Sequence, residues 1–271
     1  MKKKIKLIAN QVIDLEINAL KKLKSSINSS FEKTVDLLMN CNSKVIVCGV
    51  GKSGIIAAKI SATLSSVGTP AFNISASDCS HGDLGSITKK DVLILISNSG
   101  NTDELKNIIQ FANRNKILLI GIVSKQNSIL YKASDIKLLL PQVIESEGIV
   151  PTSSTTAQLA LGDALAISAM KHKKFNKLDF KKIHPAGSLG AQLKTVEDIM
   201  LTGDKIPFVK ENLKMKDALI ILNKKKLGCL VVTNKKNLTV GIITDGQIRR
   251  FNQKNFDLKS SIVEEVMTKK P

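Results

Sequence analysis

Aromatic side chains are almost missing from this chain of 271 residues: it has no Trp, one Tyr and 3% aromatics in all. Its core must be packed from Ile, Leu, Val and Ala, and the ladder of rings on which single-stranded nucleic acids stack is excluded. Arginine is nearly as scarce, present only as Arg114, Arg249 and Arg250, which removes most of the bidentate forks that read bases and phosphates. No window offers the roughly twenty uncharged apolar residues of a membrane span. The lysine-rich start could open a signal peptide, but Asp14 and Glu16 interrupt the apolar stretch that should follow. Cys41, Cys48, Cys79 and Cys229 show neither zinc-site nor redox CxxC spacing, so reduced thiols in the cytoplasm are expected.

What is abundant is lysine. With 41 Lys+Arg against 23 Asp+Glu the formal net charge is +18, a value that first suggests a polyanionic partner. The lysines, however, are spread along the whole chain, in Lys2 to Lys4, Lys173-Lys174, Lys224 to Lys226 and Lys235-Lys236. Spread in this way they read as solvated surface, and neither a nucleic acid nor a membrane is expected as partner. At 43% hydrophobic and 24% charged residues the chain has the composition of a globular protein.

Residues 5 to 39 carry apolar positions at helical spacing, such as Val12, Leu15 and Leu20, then Val35, Leu38 and Met39. Short apolar runs then alternate with amphipathic segments. Strands are expected at 44–48, 71–74, 92–96, 118–123 and 135–140, and helices at 55–66, 103–113 and 154–170. Uniformly apolar strands separated by helices predict an α/β fold, a doubly wound parallel sheet of flavodoxin-like kind covered on both faces. Ligands of such sheets bind outside the carboxyl ends of the strands. After residue 195 the character changes. Val196 to Met200 is echoed by Val263 to Met267, and between them lie a helix (215–223) and two strands (228–233, 240–244), a small α+β module. The predicted division is N-terminal helices at 1–40, an α/β domain at 41–190, the module at 196–257, and at 260–271 the start of a second repeat that is cut short.

Three loops could carry chemistry. Gly49 to Gly54 (GVGKSG) lies between a strand and a helix. A P-loop would need Gly where Ile46 stands. The letters also fit a dinucleotide fingerprint, but the acid that should end the next strand is replaced by Ser75 and Ala76. A lysine within the loop suits a small anion better, and a tight turn with an ion-paired lysine is the bland alternative. Ser97 to Glu104 (SNSGNTDE) again follows a strand and opens a helix; its hydroxyls and free N–H groups suit phosphate, although Ser, Thr and Asn also cap ordinary helices. Pro151 to Thr156 (PTSSTT) opens the long helix with similar chemistry. Two of the three histidines, His81 and His184, occupy Gly-containing loops, while His172 sits among lysines. Glu145 and Glu147 follow the last strand, where a carboxylate near a sugar phosphate could act as a base.

The succession GVGKSG (49–54), VGTPAF (67–72), HGDLG (81–85), SNSGNTDEL (97–105), PTSSTTAQLALGDALA (151–166) and HPAGSLG (184–190) closely resembles the arabinose-5-phosphate isomerase family, whose members join a sugar-isomerase (SIS) domain to paired CBS repeats. Gly241 to Arg250 likewise resembles the close of a CBS repeat. The resemblance implies an aldose–ketose isomerase that interconverts ribulose 5-phosphate and arabinose 5-phosphate, a precursor of the Kdo sugar of lipopolysaccharide. It implies no organic cofactor and a homotetramer. By motif, the catalytic residues are Lys52, Glu104, Glu145 and His184, with Glu147 as rival to Glu145 because the stretch before PTSS is two residues shorter than the family's. Substrate contacts fall on Ser53, Gly68, Thr69, His81, Ser97, Ser99 and Thr102. Where the family often has a zinc-binding histidine this chain reads Asn73-Ile74-Ser75, so no metal is expected. A nucleotide-type ligand needs paired CBS repeats and is not expected at a single one. The rival from another class is a non-catalytic SIS-type sugar-phosphate sensor. Such a sensor usually adds a DNA-binding helix-turn-helix, a motif that residues 1 to 40 do not spell.

Overall fold

The computed structural model describes residues 2–184, 194–253, 257–258 and 260–270. The chain divides into two compact units, Met1–Leu193 and Lys194–Pro271.

In the first unit two helices, α1 (Lys2–Ser26) and α2 (Ser29–Asn40), precede an alternating core. Asn28 separates them: its side chain accepts from the Ser30 N–H and starts α2. There follow β1 (Val45–Gly49), α3 (Lys52–Ser66), β2 (Ala71–Ser75), the short α4 (Ala76–Cys79), β3 (Val92–Ile96), α5 (Lys106–Asn115), β4 (Leu118–Val123), α6 (Ile129–Ala133) and β5 (Ile136–Leu139). The long α7 (Ser153–His172) and α8 (Lys177–Ile183) complete it. All five strands are parallel, in the order β2-β1-β3-β4-β5. This is the flavodoxin-like, doubly wound sheet expected from the apolar runs.

The inner strands β1, β3 and β4 are apolar at successive positions because both faces are covered. Val45 and Val47 of β1, with Ile94 of β3, pack in one cluster with Leu38, Ile60, Leu64, Leu161 and Leu165. The alternate residues Ile46, Cys48, Leu93 and Leu95 face the other way, against Cys79, Ile108 and Ala112. A fully buried Val, Leu or Ile contributes about 1.5–3 kcal/mol; the fully buried core is aliphatic, and Phe31, Phe111 and Tyr131 pack only at its margins. Helix boundaries differ from expectation by up to three residues: α3 begins at Lys52, α5 at Lys106, and α7 runs on to His172. The segment at 103–113 begins as a 3-10 turn, Asp103–Leu105, before α5, because the Leu105 N–H bonds the Thr102 carbonyl at 3.2 Å, a three-residue closure.

The second unit carries α9 (Val196–Ile199), β6 (Phe208–Lys210), α10 (Met215–Lys225), β7 (Cys229–Thr233), β8 (Thr239–Thr244), α11 (Asp245–Asn252), α12 (Val263–Val266) and β9 (Thr268–Lys269). Its sheet runs β6-β7-β8-β9, parallel only between β6 and β7. Met215, Ala218, Leu230, Val232, Ile243 and Val263 form its separate core. At three and two residues, β6 and β9 are too short to leave a periodic signal in the sequence.

Candidate functional site

Strand register defines the site's floor. Gly49 pairs with Ser75 on one side and Ile96 on the other, Ile96 with Ile122, and Val123 with Leu139. The loops leaving this carboxyl edge carry Lys52, Ser53, His81, Ser97, Ser99, Thr102, Glu104 and Glu145, so one edge gathers most of the residues singled out from the sequence.

The glycine loop turns tightly enough that a Cβ on Gly49 would meet the Ser53 carbonyl at 2.7 Å. It hands over to α3 with Lys52 exposed in the first turn. Ser53 donates to Gln158 Oε1 at 3.2 Å, tying the start of α3 to the buried side of α7. In the loop after β3, Ser97 is buried; its Oγ accepts from the Gly100 N–H at 2.9 Å and lies 2.7 Å from Thr102 Oγ1. Ser97 therefore shapes a turn that leaves Ser99 and Asn101 exposed at its rim. Asn98 is fixed by the Ser124 hydroxyl, and Asn101 Oδ1 accepts from Ile129 N–H at 2.9 Å. Glu104 follows, exposed, within the 3-10 turn. His81 is exposed in the loop after α4.

The hydroxyl-rich start of α7 contains its own anion. The Glu145 carboxylate accepts from Thr152 N–H at 2.9 Å and from Ser154 N–H at 3.3 Å, filling the helix N-terminus. Burial pushes the carboxyl up. The Ser154 hydroxyl and the N–H groups of Thr152, Ser154 and Ser153 together outweigh it, and Glu145 is held below the ordinary carboxylate range. Glu147 plays another part. With Gly148 it takes positive φ (52° and 72°) at the exposed tip of a hairpin closed by a Ser146–Val150 bridge.

Three of the singled-out residues lie elsewhere. Gly68 and Thr69 precede β2 and so stand at the opposite, amino edge, where the Val45 N–H bonds the Pro70 carbonyl at 2.8 Å. Thr69 is fully buried and its hydroxyl accepts from Lys173 Nζ at 2.9 Å, while the Phe175 ring packs directly on Gly68. His184 comes after that point. α7 has 20 residues and α8 has 7, about 30 Å and about 10 Å of helix respectively. The chain thus does not carry His184 back to Glu145. The histidine stacks on Phe180 with ring centroids 3.8 Å apart, and its Nδ1 lies 2.9 Å from the Phe180 carbonyl. A carbonyl only accepts, so Nδ1 carries the hydrogen in this contact. The rest of the HPAGSLG motif, residues 185–190, lies outside the described residues.

Gln158 and Lys173 escaped the sequence reading, since nothing in helical spacing announces partners 105 and 104 residues away. In the stretch Asn73-Ile74-Ser75 the Ser75 hydroxyl accepts from Asp78 N–H. Among the described residues no group of three His, Cys, Asp or Glu side chains gathers as a metal site, and no helix is long and apolar enough to cross a membrane.

A flavodoxin-like sheet with a lysine-bearing glycine loop and a serine-rich loop after β3, followed by a small four-stranded module, defines an SIS-domain protein with a CBS domain. The sequence matches the SIS domain over residues 37–168 and the CBS domain over 196–254. Among curated proteins it is 42% identical over 262 residues to arabinose 5-phosphate isomerase KdsD of Yersinia pestis, covering 96% of this chain and 80% of that one. It is 43% identical over 272 residues to KdsD of Francisella tularensis, covering 97% and 82%. Among solved structures, the c3406 protein of E. coli CFT073 in complex with arabinose 5-phosphate matches with a TM-score of 0.66 at 35% identity, over 68% of this chain and 100% of that one. The chain belongs to the arabinose 5-phosphate isomerase family.

Proposed function

We propose that this protein interconverts D-ribulose 5-phosphate and D-arabinose 5-phosphate through an enediol, and so supplies the pentose phosphate consumed in making Kdo. The observation that carries this reading is the meeting of Lys52, the Ser97–Thr102 loop, Glu104 and Glu145 at one edge of the sheet. Aldose–ketose isomerisation needs an anchor for the phosphate, a carboxylate over the C1–C2 edge and a cation or donor for the oxygens. The Ser99 and Thr102 hydroxyls with the loop N–H groups supply the anchor. Its binding energy holds the carbon end in register. Lys52 and His184 handle the oxygens. Proton NMR of ribulose 5-phosphate with the purified protein tests the reading directly: arabinose 5-phosphate signals should grow in, and an unchanged spectrum would refute it.

The distance between His184 and the carboxyl edge adds a requirement. For His184 to serve the same reaction as Lys52, it must be given by a second copy of the chain, in keeping with a homo-oligomer such as a tetramer. His184 then belongs to one half of a site and the carboxyl-edge loops form the other, while Gly68 and Thr69 are covered by Phe175 and Lys173 within their own chain. Lys52→Ala and His184→Ala are each expected to lose at least about a hundredfold in turnover. Mixed and reassembled, the two variants should recover about a quarter of wild-type activity, because random pairing leaves one site in four with both residues. A mixture as inactive as its components would rule out the shared site.

A further inference from the structure

The two carboxylates at the carboxyl edge are held in different ways. Glu145 is pinned. Its oxygens take N–H bonds from Thr152 at 2.9 Å and Ser154 at 3.3 Å, and the neighbouring Ser146 hydroxyl lies 2.9 Å from Thr152 Oγ1. These bonds close the hairpin that begins at Glu145 onto the first turn of α7. A proton on this carboxyl would give up hydrogen bonds to backbone donors that have no other acceptor in the first turn of the helix. Glu104 is free. Its backbone is fixed by buried Leu105 and by the closure from Leu105 N–H to Thr102, while its side chain is exposed and makes no hydrogen bond or ion pair among the described residues. It stands two residues beyond Thr102, next to the loop that anchors the phosphate.

Building on the isomerase reading above, we propose that Glu104 moves the proton between the two carbons, and that Glu145 is a positioning residue that locks α7 and its hairpin as a wall of the site. In the ketose-to-aldose direction the Glu104 carboxylate takes a C1 proton. The C1–H electron pair becomes the C1=C2 bond, and the C2 oxygen gains a proton from the oxygen-handling groups. The Glu104 carboxylic acid then returns its proton to C2, while O1 gives its own proton back to the oxygen-handling groups and becomes the aldehyde oxygen. Glu104 begins and ends as a carboxylate and no other reactant is needed. A group that cycles in this way must exchange its proton without breaking structure, and of the two only Glu104 can.

Turnover and melting temperature of four full-length variants decide the matter. Glu104→Gln and Glu104→Ala should each lower kcat about a thousandfold with little change in melting temperature. Added formate should partly restore Glu104→Ala, because the vacated position is open to a small carboxylate. Glu145→Gln keeps an oxygen for the helix N–H groups and should lose about tenfold, whereas Glu145→Ala should lose more and melt at a lower temperature. The division is overturned if Glu145→Gln falls as far as Glu104→Gln at an unchanged melting temperature, or if formate does nothing for Glu104→Ala. Wild-type protein that leaves both pentose phosphates untouched would overturn the isomerase reading and this division together, a result the variants alone cannot mimic.

Discussion

Asp91→Ala is expected to destabilise the protein by about 3–5 kcal/mol, the usual cost of removing one partner of a buried ion pair, and urea denaturation followed by circular dichroism would measure it. Asp91 is 1% exposed. It sits just before β3, where it pairs with Lys44 Nζ at 3.1 Å and accepts from the Ser43 hydroxyl at 2.6 Å. Its Oδ2 also takes the Thr88 N–H at 2.7 Å and the Thr88 hydroxyl at 2.9 Å. One carboxylate thus fastens the starts of β1 and β3 and the loop between β2 and β3. Alanine leaves all four donors without their acceptor. Asp91→Asn keeps an oxygen and should cost less than alanine. Because Asp91 bonds only Lys44, Ser43 and Thr88, none of them a proposed site residue, kcat per folded molecule should hold in both variants.

The same carboxylate makes stability depend on acid. Burial works to raise the Asp91 pKa, but bonds from Ser43, Thr88 and Lys44 outweigh it, and the folded-state value lies below the ordinary one. A group depressed on folding contributes its full stability above its unfolded pKa of about 3.9. That contribution is lost as the pH falls through the folded-state value. Glu145, also depressed, acts in the same direction. The wild type should therefore lose urea resistance below about pH 4, and Asp91→Asn should show a smaller loss over the same interval.

Much of this was legible in the sequence. Runs such as 92–96 and 118–123 are apolar at every position because both faces of the sheet are covered, and that pattern alone implies helices on either side. The order of strand and helix also contains a piece of information that motif matching does not use. A residue that follows a strand emerges at the carboxyl edge, and one that follows a helix long enough to cross the sheet emerges at the amino edge; the four-residue α4 is too short for that and leaves His81 on the carboxyl side. Lys52, Ser97, Glu104 and Glu145 follow strands, whereas Gly68, Thr69 and His184 follow helices. The proposed partition into two half-sites is thus implicit in the alternation, although the family motifs present all of these residues as one set. Spacing could not separate Glu145 from Glu147. The difference lies in backbone geometry: Glu147 takes positive φ at a hairpin tip, and Glu145 faces the N–H groups of a helix seven to nine residues on. Nor does sequence predict that the helix start at PTSSTT would be filled by the chain's own carboxylate, since the same residue types suit a bound phosphate equally well.

Gly100→Ala should be the most damaging single methyl group at the anion loop. Gly100 sits at φ +67°, where an L side chain is strained, and its Cβ would fall 2.1 Å from Ser128 Oγ and 2.4 Å from Ser128 Cβ. Ser128 has no room to retreat. It is fully buried, its hydroxyl donates to the Lys125 carbonyl at 2.7 Å, and it caps α6 through Tyr131 N–H. Nor can the loop easily move outward, because the Gly100 carbonyl accepts from Leu130 N–H at 3.0 Å and the Gly100 N–H donates to Ser97. Backbone strain and overpacking together should cost about 2–4 kcal/mol. Displacing the loop by about 1 Å should lower kcat/KM at least about a hundredfold. Ser128→Gly tests the cause. As an N-cap replacement it costs only a few tenths of a kcal/mol, yet in the double variant it removes the clash. Gly100→Ala/Ser128→Gly should therefore be about 1–2 kcal/mol more stable than Gly100→Ala alone, with part of the activity restored. If the two effects simply added, contact with Ser128 would not be the reason for glycine at this position, and φ alone would account for it.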